Sequence, residues 1–263
     1  LSEQILLPLK IWSAKVDLMH FTQFNIPVFW LGDFVVTIHD MIMHEFSTER
    51  QTTRSRVSHR LKKAVFLFVF NTACHRAKKI LVPSRSTKED LVNKIGLKPE
   101  KIIITYEGID ASFKEAANKT PETDLTDQTV LLKYRVKKPY VLYVGSMYPH
   151  KNLERLVTAF GILSKRYAFP GQLVLVGKES YFSRRLRKFI AERGLSEKII
   201  LPATATVTGY LSETEAVAFF RQAAVYVFPS LKEGFGLSPL EAMVLGIPTA
   251  VSKISAMPEI CGD

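Results

Sequence analysis

Residues 224–246 read AVYVFPSLKEGFGLSPLEAMVLG. The first five are apolar, with β-branched and aromatic side chains, and read as a buried strand. A tight loop with Gly234 and Gly236 follows, and a helix is expected from about Ser238. Those glycines permit backbone conformations closed to other residues and a close approach to a ligand. The free N–H groups of a helix start make an anion site. Strand, Gly-rich loop and helix in this order are the repeating unit of a parallel α/β sheet, whose ligands lie outside the carboxyl ends of the strands.

Glu233 lies in the loop and Glu241 about one turn into the helix. Both carboxylates can face one crevice. A carboxylate pair beside a phosphate site suits a ligand whose phosphates are flanked on both sides by polyhydroxyl groups, which describes a nucleotide sugar. Taken alone, the spacing also fits a loop charge at Glu233 and a solvated helix residue at Glu241. Gly234-Phe235-Gly236 resembles a dinucleotide fingerprint too, but Pro239 stands where the third Gly belongs.

Two further segments end strands in polar residues. YVLYVGSMYPHKNLERLVTAF, residues 140–160, repeats the strand, loop and helix. Gly145 ends its strand, and Lys151 stands at the helix start with Asn152 as a candidate cap. A lysine there reaches a diphosphate as a point charge. Alone, it is equally a surface lysine. FVVTIHD, residues 34–40, ends in His39-Asp40. A single His at a strand end is equally a polar loop residue. His44, His59 and His75 read as surface or helix residues, and no His, Cys or carboxylate spacing makes a metal site.

Working outward, short β-branched runs alternate with longer amphipathic segments. Strands are expected at 17–21, 34–38, 79–82 and 101–105, then at 140–144, 172–176, 198–201, 224–228 and 248–251. Helices are expected at 3–13, 54–76, 86–95, 152–166, 181–193, 213–221 and 238–245. Ser84 or Ser86 can cap the helix bearing Glu89, and Ser212 the one bearing Glu215. Gly96 and Gly194 sit where helices stop. This alternation implies βαβ units and parallel sheets. The polar stretch 111–138 breaks it. We therefore expect a first domain over 1–115, a linker over 116–138 and a second domain over 139–263. The first opens on a helix rather than a strand, and the second stops after its fifth strand, so both are expected to be incomplete.

Composition narrows the function classes. A length of 263 residues suits two domains, and 47% apolar with 23% charged residues is an ordinary globular mixture. The 36 Lys and Arg against 25 Asp and Glu give +11, which favours anionic partners. Arg50, Arg54, Arg56, His59, Arg60, Lys62 and Lys63 precede the apolar run 64–70, and His75, Arg76, Lys78 and Lys79 follow it. This reads as a solvated helix face or as a patch for an anionic membrane surface. No nucleic-acid module is visible. Two distant cysteines, Cys74 and Cys261, argue against a disulfide framework and fit a reducing compartment. No apolar run approaches the roughly 20 residues needed to span a bilayer.

Taken together these segments resemble glycosyltransferase family 4, retaining enzymes of the GT-B fold, over nearly the whole chain. The sharpest match is E-x7-E, Glu233 to Glu241, written EGFGLSPLE. VFPS precedes it, and EAM, GIPTAV and SAMPEICGD follow. GSMYPHKN is similar to the family's donor-phosphate loop, VTIHD to its acceptor-side histidine strand, and SRSTKEDL with YEGID to the end of its first domain. The resemblance implies two Rossmann-like, doubly wound parallel-sheet domains facing across a cleft, and transfer of a hexosyl group with retention.

Roles follow by position. Glu233 would bind hydroxyls of the transferred sugar and Glu241 the ribose. Gly145, Ser146, Lys151 and the backbone of Gly234, Phe235, Gly236 and Leu237 would hold the diphosphate. His39 would contact the sugar at the reacting centre. No cofactor and no essential metal are implied. The donor would be a nucleotide sugar, with GDP-mannose favoured. The acceptor would be a glycan or lipid-linked glycan of polysaccharide or lipopolysaccharide assembly. The location would be cytoplasmic, with peripheral contact at the inner face of an anionic membrane.

The chain departs from the family at several positions. Ser146 stands where many relatives carry Arg, His150-Lys151 where close relatives carry Arg-Lys, and Glu107 where they carry Asn. One or two phosphate cations are thus lost, which bears on donor affinity. The family's opening strand with its Gly-rich loop and its last helices are missing from the sequence as given, so the chain as given is expected to turn over little. A catalytically silent sugar-nucleotide binder, a GT-B epimerase or phosphorylase, and an NAD-dependent oxidoreductase are the competing readings.

Overall fold

A computed structural model of the chain describes residues 2–46, 56–118, 125–202 and 211–262. In chain order its elements are α1 (Ser2–Ser13), β1 (Met19–Phe21), β2 (Phe34–Thr37), α2 (Ile42–Phe46), α3 (Arg56–Arg76), β3 (Lys79–Val82), α4 (Arg85–Ile95), β4 (Ile102–Ile104), α5 (Ala111–Ala117) and α6 (Leu125–Lys133). Then follow β5 (Tyr140–Val144), α7 (Leu153–Arg166), β6 (Gln172–Val176), α8 (Tyr181–Ala191), β7 (Ile199–Ile200), α9 (Glu213–Arg221), β8 (Val225–Phe228), α10 (Leu237–Val244), β9 (Thr249–Val251) and α11 (Met257–Cys261). All nine expected strands form. The chain divides into two compact units. The first comprises Leu1–Glu107 with Glu233–Phe235, the second Gly108–Lys232 with Gly236–Asp263.

In the first unit β1-β2-β3-β4 make a parallel sheet in sequence order. Alternation sets its inner face: Phe34, Val36, Ile38, Ile80 and Val82 are buried, and Phe70, Ala73 and Cys74 of α3 pack with them. Burial pushes the Cys74 thiol up to about 12, outweighing the nearby Lys101 charge. Ser84 caps α4, accepting from the Thr87 N–H at 3.1 Å. Gly96 ends that helix at φ +75°, where its N–H bonds Val92 O. Of the expected basic stretch, Arg50 and Arg54 lie outside the described residues, as do the side chains of Arg56, His59 and Arg60. Lys62 and Lys63 are exposed on α3.

The second unit has the parallel order β7-β6-β5-β8-β9. Its central strands are apolar apart from Gln172 at the start of β6, as suits strands covered on both faces, and β6 is buried at all five positions. Where the strands carry tyrosines into the core, their hydroxyls find carbonyls. Tyr140 donates to Phe219 O at 2.7 Å and Tyr226 to Val144 O at 3.2 Å. Leu153, Leu156, Val157 and Phe160 give α7 its buried face. Ser212 and Glu215 make the capping box of α9.

The stretch 116–138 differs from a free linker. It carries α6, whose Val130 and Leu131, with Tyr134 and Val136 beyond it, join the second unit's core. Asp127 of α6 is buried, accepts from Gln222 Nε2 at 3.0 Å and lies 3.4 Å from Arg221 Nη1. These anchors are polar and distant in sequence, so apolar periodicity does not report them. Residues 119–124 lie outside the described residues.

Candidate functional site

The order of the second sheet reverses between β5 and β8: from β5 the chain builds outward through β6 and β7, then returns to add β8 and β9. In open α/β sheets the crevice outside the carboxyl ends at such a switch point is the ligand site. The segments that follow these two strands are the two ligand loops read from the sequence.

The loop after β5 is pinned at its start. Gly145 has φ +151°, its N–H bonds Val176 O at 2.9 Å, and the Tyr143 hydroxyl donates to Ser146 O at 2.6 Å. A Cβ added to Gly145 would meet that hydroxyl at 2.8 Å. Ser146 is exposed. Pro149–Lys151 form a 3-10 turn, and α7 follows. Lys151 lays its Nζ over the Phe228 ring, 5.1 Å from the centroid, which holds an ammonium at the carboxyl end of β8.

Asn152 does not act as the expected side-chain cap. It takes a left-handed conformation, φ +61°, and makes no cap bond. Its Nδ2 donates instead to Pro229 O at 3.1 Å, and the Leu231 N–H donates to His150 O at 2.7 Å. The two loops are thus tied to each other. His150 is buried and its ring stacks with Tyr148. Burial, with the Lys151 charge as the lesser cause, lowers its pKa to about 4, so it is neutral near pH 7. His150 therefore supplies no cation to this loop near pH 7.

After β8 the chain reaches Gly236, the N-cap of α10, at φ +117°. A Cβ there would stand 2.4 Å from Met257 Cε, so the helix start closes tightly on α11. Leu237 is exposed at the first helical position, and Glu241 is half-buried in the next turn. Gly145, Ser146, Lys151, Gly236, Leu237 and Glu241 all belong to the second unit. Glu233, Gly234 and Phe235 are buried and group with the first.

His39, also in the first unit, follows the carboxyl end of β2. Its Nδ1 lies 2.9 Å from Glu107 Oε1, and its Nε2 lies 3.0 Å from Thr22 O. A carbonyl and a carboxylate both accept, so the ring must donate from both nitrogens to make both bonds at once. Glu107, noted in the sequence only as a departure, is thus the partner that orients His39. A second residue that sequence reading missed is Gly177. A Cβ there would stand 2.2 Å from Gly145 O, so only glycine lets the end of β6 pass the first loop. Its position, directly after the strand in VLVGKES, was the available signal. Among the described residues no group of three or more His, Cys, Asp or Glu is placed to hold a metal ion.

Comparison with known proteins adds to this geometry. Residues 131–263 match the family model of glycosyl transferases group 1, and residues 7–113 that of glycosyltransferase family 4. The chain is 27% identical over 230 residues to the O-antigen chain mannosyltransferase B of Escherichia coli, covering 87% of this chain and 55% of that protein. It is 24% identical over 200 residues to the O-antigen chain mannosyltransferase RfbU of Salmonella typhimurium, covering 76% and 49%. The chain therefore spans about half the length of these curated relatives. Among solved structures, Anabaena HepE in complex with UDP-glucose superposes with a TM-score of 0.72 at 17% identity, covering 96% of this chain and 65% of that one. That likeness shows the fold, two parallel-sheet α/β domains of the GT-B type.

Proposed function

The chain belongs to the glycosyl transferases group 1 family, and from that premise we propose that the protein is a retaining glycosyltransferase. It moves a hexosyl group, with mannose favoured, from a nucleotide-diphosphate sugar to a glycan or lipid-linked glycan. The observation that carries this reading is the pair of tied loops at the second sheet's switch point. They supply an ammonium over Phe228, the N–H groups opening α10 and a carboxylate in its next turn.

On this reading Gly145, Ser146, Lys151 and the backbone of 234–237 hold the diphosphate. Fixed dipoles and a lysine stabilise the charge that the diphosphate gains as it leaves. Glu241 accepts from the ribose hydroxyls, Glu233 binds the sugar, and His39 contacts the sugar at the anomeric centre. The lysine and helix-start amides supply positive potential without a metal ion. The mannosyltransferase relatives support mannose, and hence GDP-mannose, over a UDP-hexose.

We place the reaction in the cytoplasm, at the inner face of an anionic membrane and without a nucleic-acid partner. Among the described residues no helix is long and apolar enough to cross a membrane. On α3, exposed Leu61, Val65 and Phe68 accompany Lys62 and Lys63, which supports surface contact.

Calorimetry with GDP and UDP in EDTA tests the donor site: both bind, and Lys151→Ala weakens binding. Binding that appears only with magnesium or manganese overturns the metal-free reading. The anomeric configuration of the product made from GDP-mannose, read by NMR, tests retention.

A further inference from the structure

The first unit holds a second basic feature at the opposite edge of its sheet from His39. β2 and β3 are parallel. His39 follows the carboxyl end of β2, whereas Lys79 opens β3. A hollow of about 440 Å³ lies at this opening edge, where α3 ends, α4 has turned at Gly96, and a 3-10 turn, Pro99–Lys101, leads into β4. Its volume lies within the usual range for small-molecule sites.

The ionisable lining residues are His75, Lys78, Lys79, Lys98, Glu100 and Lys101. Lys78 pairs with Asp33 at 3.2 Å. Three more ammonium groups share the hollow with one carboxylate. Two of these are held by neutral carbonyls: Lys79 Nζ donates to Glu100 O at 2.8 Å and Lys101 Nζ to His75 O at 2.7 Å. Each bond fixes the position of a positive charge and spends one of the three donors that an ammonium carries. Burial holds Lys101 below the ordinary lysine value, so an anion beside it would relieve a strained charge. Concave walls of low dielectric concentrate the field of such a cluster.

We propose that this hollow is an anion site for a phosphoryl group, either a phosphomonoester or a diphosphate. Lysines recognise phosphate as point charges from several directions, which suits a hollow lined by Lys79 at the start of β3 and by Lys98 and Lys101 at the two ends of the 3-10 turn. The same chemistry is offered by a free phosphoester and by a phospholipid headgroup. The site is independent of the nucleotide loops and stands whether or not these bind GDP.

The test starts from the Lys151→Gln protein, so that the nucleotide loops contribute less to phosphate binding. Inorganic pyrophosphate is titrated by calorimetry at low salt, and vesicles of phosphatidylcholine with and without phosphatidylglycerol are co-sedimented. Adding Lys98→Gln and Lys101→Gln should weaken pyrophosphate binding at least tenfold, with circular dichroism unchanged. Glu100→Gln removes the carboxylate among the lining residues and should tighten binding severalfold, a gain that misfolding cannot mimic. Pyrophosphate binding that depends on the lysines, without vesicle binding that does, assigns the site to a soluble phosphoester. Lysine-dependent binding of anionic vesicles assigns it to a headgroup. Pyrophosphate and vesicle binding that ignore all three substitutions, or no binding to either, would overturn the proposal.

Discussion

Glu241 and His39 divide the proposed chemistry between binding and transfer. Glu241 is half-buried on α10. If it accepts from ribose hydroxyls, Glu241→Ala should weaken GDP binding by about 1.5–3 kcal/mol, the range for hydrogen bonds to a charged group. The melting temperature should barely move. A variant that melts much earlier yet binds GDP normally would make Glu241 structural. His39 has the opposite expectation. It is exposed and lies in the first unit, so His39→Ala should leave GDP affinity unchanged while transfer from the donor falls on the order of 100-fold, as for loss of an acid–base or polar group at a reacting centre. Parallel calorimetry and transfer assays separate these outcomes, and an equal loss in both would sink the division. The type and place of His39 were legible in the sequence, because a strand ending in His-Asp stands at the ligand edge of a parallel sheet. Its orientation was not. Glu107 lies 68 positions away, and only the folded sheet brings its carboxylate to Nδ1.

Two elements of the second unit carry energetic consequences. The first is the 3-10 turn with buried His150, whose folded value of about 4 lies below the ordinary 6.5. The unfolded chain then binds a proton that the folded chain refuses, so stability rises with pH across this window. The contribution is complete above about pH 6.5 and is lost as pH falls towards 4, amounting to about 3 kcal/mol. Urea unfolding at pH 7 and pH 4.5 should show this decline, and His150→Phe should flatten it. An unchanged slope in the variant would assign the decline to other groups. The second element is α6. Asp127 and Arg221 are both buried, so Asp127→Ala removes one member of a buried ion pair and should cost about 3–5 kcal/mol. A change under 1 kcal/mol would mean that α6 docks loosely. These elements also mark the limit of sequence reading. β5, β8 and residues 173–176 of β6 announce themselves as unbroken apolar runs, and the Ser212–Glu215 box is local. α6 is silent because its polar anchor pairs across more than 90 positions, and His150 looks like a surface cation until its burial is seen.

At the scale of the molecule, the two units carry separate hydrophobic cores, one around β2 and β3, the other around β5, β6 and β8. Separate cores with their own sheets behave as separate folding units, and a single unfolding transition is then not expected. The tryptophans make this measurable. The chain has two, and both Trp12 and Trp30 lie in the first unit. Tryptophan fluorescence therefore follows the first unit, while far-ultraviolet circular dichroism follows both. A ligand that binds only native protein stabilises it by RT ln(1 + [L]/Kd), about 2.7 kcal/mol at 100 times Kd. GDP at that level should shift the circular dichroism component of the second unit to higher urea. The tryptophan transition should move less, because Gly145, Lys151 and Glu241 belong to the second unit, and of the nucleotide loops only Glu233, Gly234 and Phe235 group with the first. The control is Glu241→Ala, in which the GDP-dependent shift should shrink at fixed ligand concentration. A tryptophan midpoint that moves with GDP by the same amount as the dichroism would show that nucleotide binding draws equally on both units and would refute its assignment chiefly to the second.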